Sequence, residues 1–118
     1  MPPTPAKRLA VLACMDTRLN PAVLLGLEDG DAHVIRNAGG FVSDDVIRSL
    51  TLSQGLGTEE VVVIQHTDCG ALGPDADLEE SVRRSLAQIR ASDEIPRTGQ
   101  VRGFVYDVYS GDLREVGG

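Results

Sequence analysis

The chain has 118 residues, a length that suits one compact domain over residues 1–118, and 42% of these residues are hydrophobic. Its formal net charge of −7 argues against a nucleic-acid backbone or an anionic membrane surface as the partner. No apolar run approaches the length that crosses a bilayer, and the opening residues lack the apolar core of a secretory signal. We therefore expect a cytoplasmic protein.

The first half of the chain alternates short apolar runs with helical patterns. Leu9–Cys14 is continuously apolar, which is typical of a strand buried on both faces. A short helix is predicted over Ala22–Leu27, because the Asn-Pro pair before it combines a good N-cap with the residue preferred at the first helical position. A second strand follows over Ala32–Arg36. Apolar residues at helical spacing then predict a helix over Val46–Gln54, between a serine cap and two glycines.

The second half continues this alternation and ends in two strands. Glu60–Ile64 is the most apolar strand, and a helix begins after Asp77, with Glu80 placed to complete a capping box. Val101–Tyr109 is predicted as a strand, and Leu113–Val116 can pair back onto it as a hairpin. This order predicts a single-domain α/β fold with a mostly parallel sheet of four to five strands. Helices flank the sheet, and the C-terminal hairpin forms one edge.

Chemically reactive residues follow three of the predicted strands. The first strand leads into Cys14–Arg18, the second into Arg36–Gly40, and the third into His66–Cys69. Ligands of open α/β sheets bind beyond the carboxyl ends of the strands. If the strands are parallel, the three turns lie along one edge of the sheet, where their side chains can converge.

Thiolate sulfur and imidazole nitrogen are the ligands that zinc prefers in proteins. We therefore predict one zinc ion held by Cys14, His66 and Cys69. Its fourth position is either open to water or filled by Asp16, which lies two residues beyond Cys14. Arg18 can pair with Asp16 and hold it away from the metal.

Each of these residues also has an explanation without a metal. A free cysteine is most often a buried core residue, and an H-x-x-C pattern alone is a weak signal. A disulfide between Cys14 and Cys69 is disfavoured in a reducing compartment. His33 opens a strand and is interpreted as structural, while Asp68 is expected to hydrogen-bond within its own turn. The joint placement of both cysteines and a histidine on one predicted edge favours the metal site.

The two motifs together resemble those of the β-class carbonic anhydrases. Cys14–Arg18 matches the C-x-D-x-R motif of that family, and His66–Cys69 matches its H-x-x-C motif. Arg36–Gly39 is similar to the loop between them. The resemblance covers residues 7–70 and returns over residues 102–116, and the combination of motifs in this order is highly specific.

The resemblance implies a zinc lyase that hydrates carbon dioxide reversibly to bicarbonate and a proton by metal-bound hydroxide. It implies Cys14, His66 and Cys69 as zinc ligands and Asp16 and Arg18 as a catalytic dyad. It also implies a homodimer or a higher homo-oligomer. Two thiolates make zinc a weaker Lewis acid than three imidazoles do, so activity is expected to rise toward alkaline pH.

The chain departs from the family pattern in two places. It begins close to the first strand, where members usually carry a helical arm, and only Ala71–Gln100 separates the H-x-x-C turn from the later strand. Three alternatives therefore stay open. They are a non-catalytic zinc domain closed by Asp16, a related zinc hydrolase such as one acting on carbon disulfide, and a metal-free interaction module.

Overall fold

The computed structural model describes residues 3–73 and 75–117. Its elements follow the predicted order of three strand–helix pairs and a final strand pair. The strands are β1 (Leu9–Cys14), β2 (Ala32–Asn37), β3 (Glu60–His66), β4 (Val101–Tyr106) and β5 (Leu113–Val116). The helices are α1 (Pro21–Leu25), α2 (Asp44–Gly55) and α3 (Leu78–Arg90).

The five strands form one sheet in the order β2-β1-β3-β4-β5. The first three pairings are parallel, and β5 lies antiparallel to β4 at the edge. The predicted α/β fold with a hairpin edge is therefore confirmed. Among residues 3–73 and 75–117, no helix is both long and apolar enough to span a lipid bilayer.

Aliphatic side chains cover both faces of the sheet, as expected for a chain with 3% aromatic residues. One cluster lies under α2 and α3, and the other lies under α1 and the neighbouring loops. All six residues of β1 are buried, and each buried leucine or valine contributes about 1.5–3 kcal/mol of transfer free energy. Cys14 and Cys69 belong to the second cluster, so the predicted ligands lie at the end of a packed core.

Two elements end before their predicted last residues, because turn chemistry stops them. The first helix stops at Leu25 rather than Leu27, since Gly26 adopts a left-handed φ of 64° and caps it. The fourth strand stops at Tyr106 rather than Tyr109. There the Asp107 carboxylate accepts the backbone N–H of the residue two positions later at 2.8 Å, which forms a turn.

Gly103 on β4 allows α3 to pack closely on the sheet. A Cβ atom at this position would overlap Val82 Cγ1 and lie 3.1 Å from Leu86 Cδ1. We expect Gly103→Ala to lower the free energy of unfolding by about 1–3 kcal/mol through overpacking, measured by urea denaturation. Gly55→Ala is the matched control, because a Cβ there meets nothing within 4 Å. Equal stability of Gly103→Ala and the wild type would contradict this packing.

Candidate metal centre

The structure brings the three predicted ligands together. Cys14 is the last residue of β1, His66 is the last residue of β3, and Cys69 lies in the turn that follows. One ligand atom from each lies within 4.8 Å of the other two, and all three residues are buried. Both cysteines are free, with 3.9 Å between their sulfur atoms, so the alternative disulfide is not formed.

His66 presents an unsatisfied nitrogen to this cluster. Its Nδ1 lies 2.7 Å from the carbonyl oxygen of Thr67, which only accepts hydrogen bonds, so Nδ1 carries the proton. The lone pair is therefore on Nε2, which is buried and has no hydrogen-bond partner among the described residues. A buried unpaired acceptor costs about 1–3 kcal/mol, and a metal ion would satisfy it. Two sulfurs and one imidazole nitrogen form a donor set that fits zinc.

Backbone amides approach both sulfur atoms. The Gly39 N–H donates to Cys14 Sγ at 3.3 Å. Burial raises the pKa of the Cys69 thiol, while the N–H groups of Ala71 and Leu72 act in the opposite direction. These donors stabilise negative charge on sulfur, which is the form that binds a metal.

The turn after β2 requires glycine where it passes the metal cluster. Gly40 has a φ of 68°, and a Cβ there would lie 3.1 Å from the backbone nitrogen of Cys14 and 3.1 Å from the carbonyl oxygen of Ile64. Gly39 has a φ of 92°, and its missing side chain leaves room for the ring of Phe41. Because both glycines lack a Cβ atom, the turn can lie close to the end of β1, and the Gly39 amide reaches Cys14 Sγ.

Asp16 and Arg18 form a closely paired carboxylate and guanidinium beside the cluster. Asp16 Oδ1 accepts from the Arg18 backbone N–H at 2.8 Å and from its Nε at 3.1 Å, and Oδ2 accepts from Nη2 at 2.8 Å. These hydrogen bonds hold the pKa of Asp16 well below its usual range. The same Oδ2 lies 3.9 Å from His66 Nε2, so the ionised carboxylate adjoins the position a metal would occupy.

Asp68 faces Arg18 rather than its own turn, so that expectation was wrong. Its backbone has a left-handed φ of 54°, and Oδ2 accepts from Arg18 Nη1 at 3.0 Å and from the Tyr109 hydroxyl at 2.7 Å. The hydrogen bond from the Tyr109 hydroxyl lowers the pKa of Asp68 most, and the hydrogen bond from the Arg18 guanidinium lowers it further.

His33 lies away from the cluster. Its ring is hydrogen-bonded to Ser53 Oγ at 2.7 Å, which agrees with the structural role expected for it.

Arg36 secures the turn that carries Cys14 and Asp16. Its Nε and Nη2 donate to the carbonyl oxygen of Cys14 at 3.0 and 2.7 Å, and Nη2 also donates to those of Asp16 and Leu19 at 2.8 and 2.6 Å. One guanidinium therefore satisfies three carbonyl groups. The sequence placed this residue in the loop between the motifs without indicating these contacts.

Replacing Arg36 with methionine keeps a similar chain length but removes every donor. We expect the free energy of unfolding to fall by at least about 2 kcal/mol, because one hydrogen bond to a charged group contributes roughly 1.5–3 kcal/mol and Arg36 makes several. Urea denaturation measures the change, and Arg48→Met, at an arginine whose side chain is 85% exposed, is the control. Identical stability of the two variants would refute this role.

A cavity of about 250 Å³ opens over the cluster. Its lining combines Cys14, Asp16 and Cys69 with small or apolar groups, namely Met15, Ala38, Gly39, Gly70 and Ala71. A larger cavity of about 520 Å³ lies between the start of α2 and the end of α3. None of the predicted site residues lines this larger cavity, whereas Cys14, Asp16 and Cys69 line the smaller one.

The fold and the cluster define an α/β metalloprotein whose centre lies at the carboxyl edge of a parallel sheet. A sequence model of the carbonic anhydrase family matches residues 9–99. β-Carbonic anhydrase 1 of Mycobacterium tuberculosis is 42% identical over an alignment that covers 98% of this chain and 86% of that protein. The crystal structure of a carbonic anhydrase from Streptococcus mutans superposes with a TM-score of 0.91 at 44% identity, covering 99% of this chain and 86% of that one.

The chain belongs to the β-class carbonic anhydrase family. The matches, with the three grouped ligands, confirm the predicted family, enzyme class and zinc cofactor. A carbon disulfide hydrolase of Acidithiobacillus thiooxidans is a further relative, 34% identical over 92% of this chain and 76% of its own length. The mycobacterial alignment spans 140 positions, more than the 118 residues of this chain, so that relative carries residues that this chain lacks.

Proposed function

We propose that this chain catalyses the reversible hydration of carbon dioxide to bicarbonate and a proton, with one zinc ion held by Cys14, His66 and Cys69. The observation that carries the proposal is the buried group of two sulfurs and one unpaired imidazole nitrogen, 3.9 Å from an ionised carboxylate. When bound there, zinc supplies a Lewis acid that promotes ionisation of a coordinated water, less strongly than a three-histidine centre does.

Asp16 and Arg18 are proposed as the catalytic dyad. Oδ2 of Asp16 lies 3.9 Å from His66 Nε2, so it is placed to accept a hydrogen bond from the reacting water and to orient that water toward carbon dioxide. Arg18 keeps this carboxylate ionised and fixes its rotamer through two parallel hydrogen bonds from its guanidinium. Occupation of both Asp16 oxygens by Arg18 favours this role over the alternative in which Asp16 closes the metal site.

The cavity supports a small uncharged substrate. Ala38 and Ala71 give its wall short apolar side chains, and Met15 adds a flexible one. Such a lining offers few hydrogen-bonding groups, so a polar ligand would lose hydrogen bonds to water on entering the cavity. Carbon dioxide is uncharged and does not depend on such hydrogen bonds for binding. We propose that carbon dioxide binds against these three residues, beside Asp16.

The pH dependence of hydration tests the proposed function. The depressed pKa of Asp16 keeps it ionised at every pH above its ordinary value of about 3.9, so protonation of Asp16 does not limit the rate near neutrality. We expect kcat to rise between about pH 6 and about pH 9, because two thiolate ligands place the controlling ionisation above neutral pH. Stopped-flow hydration with a pH indicator measures the profile. The proposal would be rejected if the zinc-loaded protein did not hydrate carbon dioxide, or if its hydration rate did not change with pH.

Carbon disulfide hydrolysis is the second candidate, because the 34% identical relative bears that name. Release of hydrogen sulfide from carbon disulfide by the zinc-loaded protein distinguishes the two activities. We expect carbon dioxide to be the better substrate, as judged by kcat/KM, since the 42% identical relative named a carbonic anhydrase matches more of this chain.

We further propose that residues 1–118 act as one zinc domain and that the protein is a cytoplasmic homodimer or larger homo-oligomer. The family resemblance supports the assembly. Sedimentation velocity at micromolar concentration tests it, and a purely monomeric species would reject the assembly.

A further inference from the structure

We propose that Asp68 and Tyr109 are positioning residues for the reaction: together they fix the Arg18 guanidinium against the Asp16 carboxylate. The inference rests on the proposed function for the roles of Asp16 and Arg18. It adds a second carboxylate and a phenol, contributed by two other turns, to the group that orients the dyad.

The first support is the way in which Arg18 is held from two sides. Nε and Nη2 face Asp16, while Nη1 donates to Asp68 Oδ2 and Nη2 to the Asp68 carbonyl oxygen, both at 3.0 Å. The Arg18 side chain is 42% exposed. An exposed arginine with a single carboxylate partner exchanges readily among rotamers, and the ion pair contributes little to stability. A network of several partners restricts the arginine to one rotamer. Asp68 supplies that second anchor.

The second support is the environment of Tyr109. Tyr109 is 78% exposed, so packing around its ring contributes little to stability, and its hydroxyl donates to Asp68 Oδ2 at 2.7 Å. The ring is carried by the turn between β4 and β5, where Asp107 accepts the Tyr109 backbone N–H at 2.8 Å. The Tyr109 hydroxyl is therefore held by an anchored turn. It restrains Asp68 Oδ2, the same oxygen that accepts from Arg18 Nη1.

These contacts join turns that follow three strands: Asp16 and Arg18 follow β1, Asp68 follows β3, and Tyr109 follows β4. Without the Asp68 carboxylate, Arg18 loses the acceptor of its Nη1 and keeps only the Asp68 carbonyl oxygen on that side, so the guanidinium is less restrained against leaving Asp16. Asp16 Oδ2, only 3.9 Å from His66 Nε2, would then be less restrained from turning toward the cluster. The expected defect is in turnover, with zinc content preserved.

Two substitutions test the inference without disturbing the metal ligands. Asp68→Asn removes the charge but keeps the side-chain size, and asparagine tolerates the left-handed backbone of this position as aspartate does. Tyr109→Phe removes only the hydroxyl. We expect kcat to fall about fivefold for Asp68→Asn and about threefold for Tyr109→Phe, with KM and zinc content unchanged. Asp45→Asn, which removes an exposed carboxylate near Arg48 on α2, is the charge control.

The double variant Asp16→Asn/Asp68→Asn distinguishes a positioning role of Asp68 from general structural damage. If Asp68 acts through the dyad, Asp68→Asn lowers the residual kcat of an Asp16→Asn protein by less than twofold rather than fivefold. A full fivefold further loss in that background would overturn the inference. So would wild-type kcat in both Asp68→Asn and Tyr109→Phe.

A readout that does not need activity separates this inference from the proposed function. The Arg18 Nε–H resonance, assigned by its loss in Arg18→Lys, should exchange with solvent at least about fivefold faster in Asp68→Asn than in the wild type or Asp45→Asn. Unchanged exchange overturns the positioning role even if kcat falls. A wild-type protein that binds zinc but does not hydrate carbon dioxide rejects the proposed function, and the exchange rates still decide whether Asp68 restrains Arg18.

Discussion

Replacing His66 with asparagine is expected to abolish stoichiometric zinc binding and to lower carbon dioxide hydration by at least about a thousandfold. Asparagine can reproduce the hydrogen bond that Nδ1 makes to the Thr67 carbonyl oxygen, but it has no atom that reaches the position of Nε2. The two sulfurs alone leave the metal with too few protein ligands. Zinc content by elemental analysis and the stopped-flow hydration rate measure the two effects.

The other histidine of the chain provides the matched control. His33 bonds to Ser53 Oγ at 2.7 Å and to the Pro3 carbonyl oxygen at 3.2 Å, outside the cluster. We expect His33→Asn to retain full zinc content and at least about half of the hydration rate, as is usual for substitutions remote from a site. Near-stoichiometric zinc in His66→Asn would remove His66 from the ligand set.

Asp16→Asn is expected to keep zinc but to lose turnover by about 10²–10³-fold. The amide is nearly isosteric with the carboxylate, yet it cannot hold the negative charge that Arg18 pairs with. Nor can it accept a proton beside the cluster. Stopped-flow hydration and zinc analysis of the same preparation separate the loss of turnover from the loss of metal.

Asp31→Asn is the control for this substitution. Asp31 is also ion-paired, to Lys7 at 3.7 Å, and its side chain is 16% exposed against 20% for Asp16. We expect this variant to hydrate carbon dioxide at close to the wild-type rate. Full activity in Asp16→Asn would refute the assigned role, and loss of zinc from it would favour the alternative in which Asp16 is the fourth ligand.

The sequence alone predicted the sheet and the meeting of the three ligands, because both follow from general rules. A continuous apolar run such as Leu9–Cys14 has few alternatives to a buried strand, and parallel strands place their carboxyl ends on one edge. Cys14, His66 and Cys69 each follow or end such a strand. Their proximity therefore required only the parallel order of β1 and β3, and the sulfur and imidazole donors indicated the identity of the metal, which the family resemblance also implied.

The contacts around the three ligands could not be predicted from the sequence. They depend on the directions of side chains that lie far apart along the chain. Arg18 meets Asp68 from 50 residues away, Tyr109 meets Asp68 from 41, and Arg36 meets Cys14 from 22. No periodicity connects such pairs, and each is fixed only when the turns are packed. Asp68 illustrates this, since a local turn role was the reasonable prediction until its left-handed backbone directed the carboxylate toward Arg18.

X-ray absorption at the zinc edge of the purified protein is the most direct test of the central claim, that Cys14, His66 and Cys69 hold one zinc ion. We predict close to one zinc per chain, with two sulfur ligands at about 2.3 Å and one imidazole nitrogen at about 2.0 Å. A first coordination shell of only oxygen and nitrogen, or a protein that binds no zinc, would contradict it.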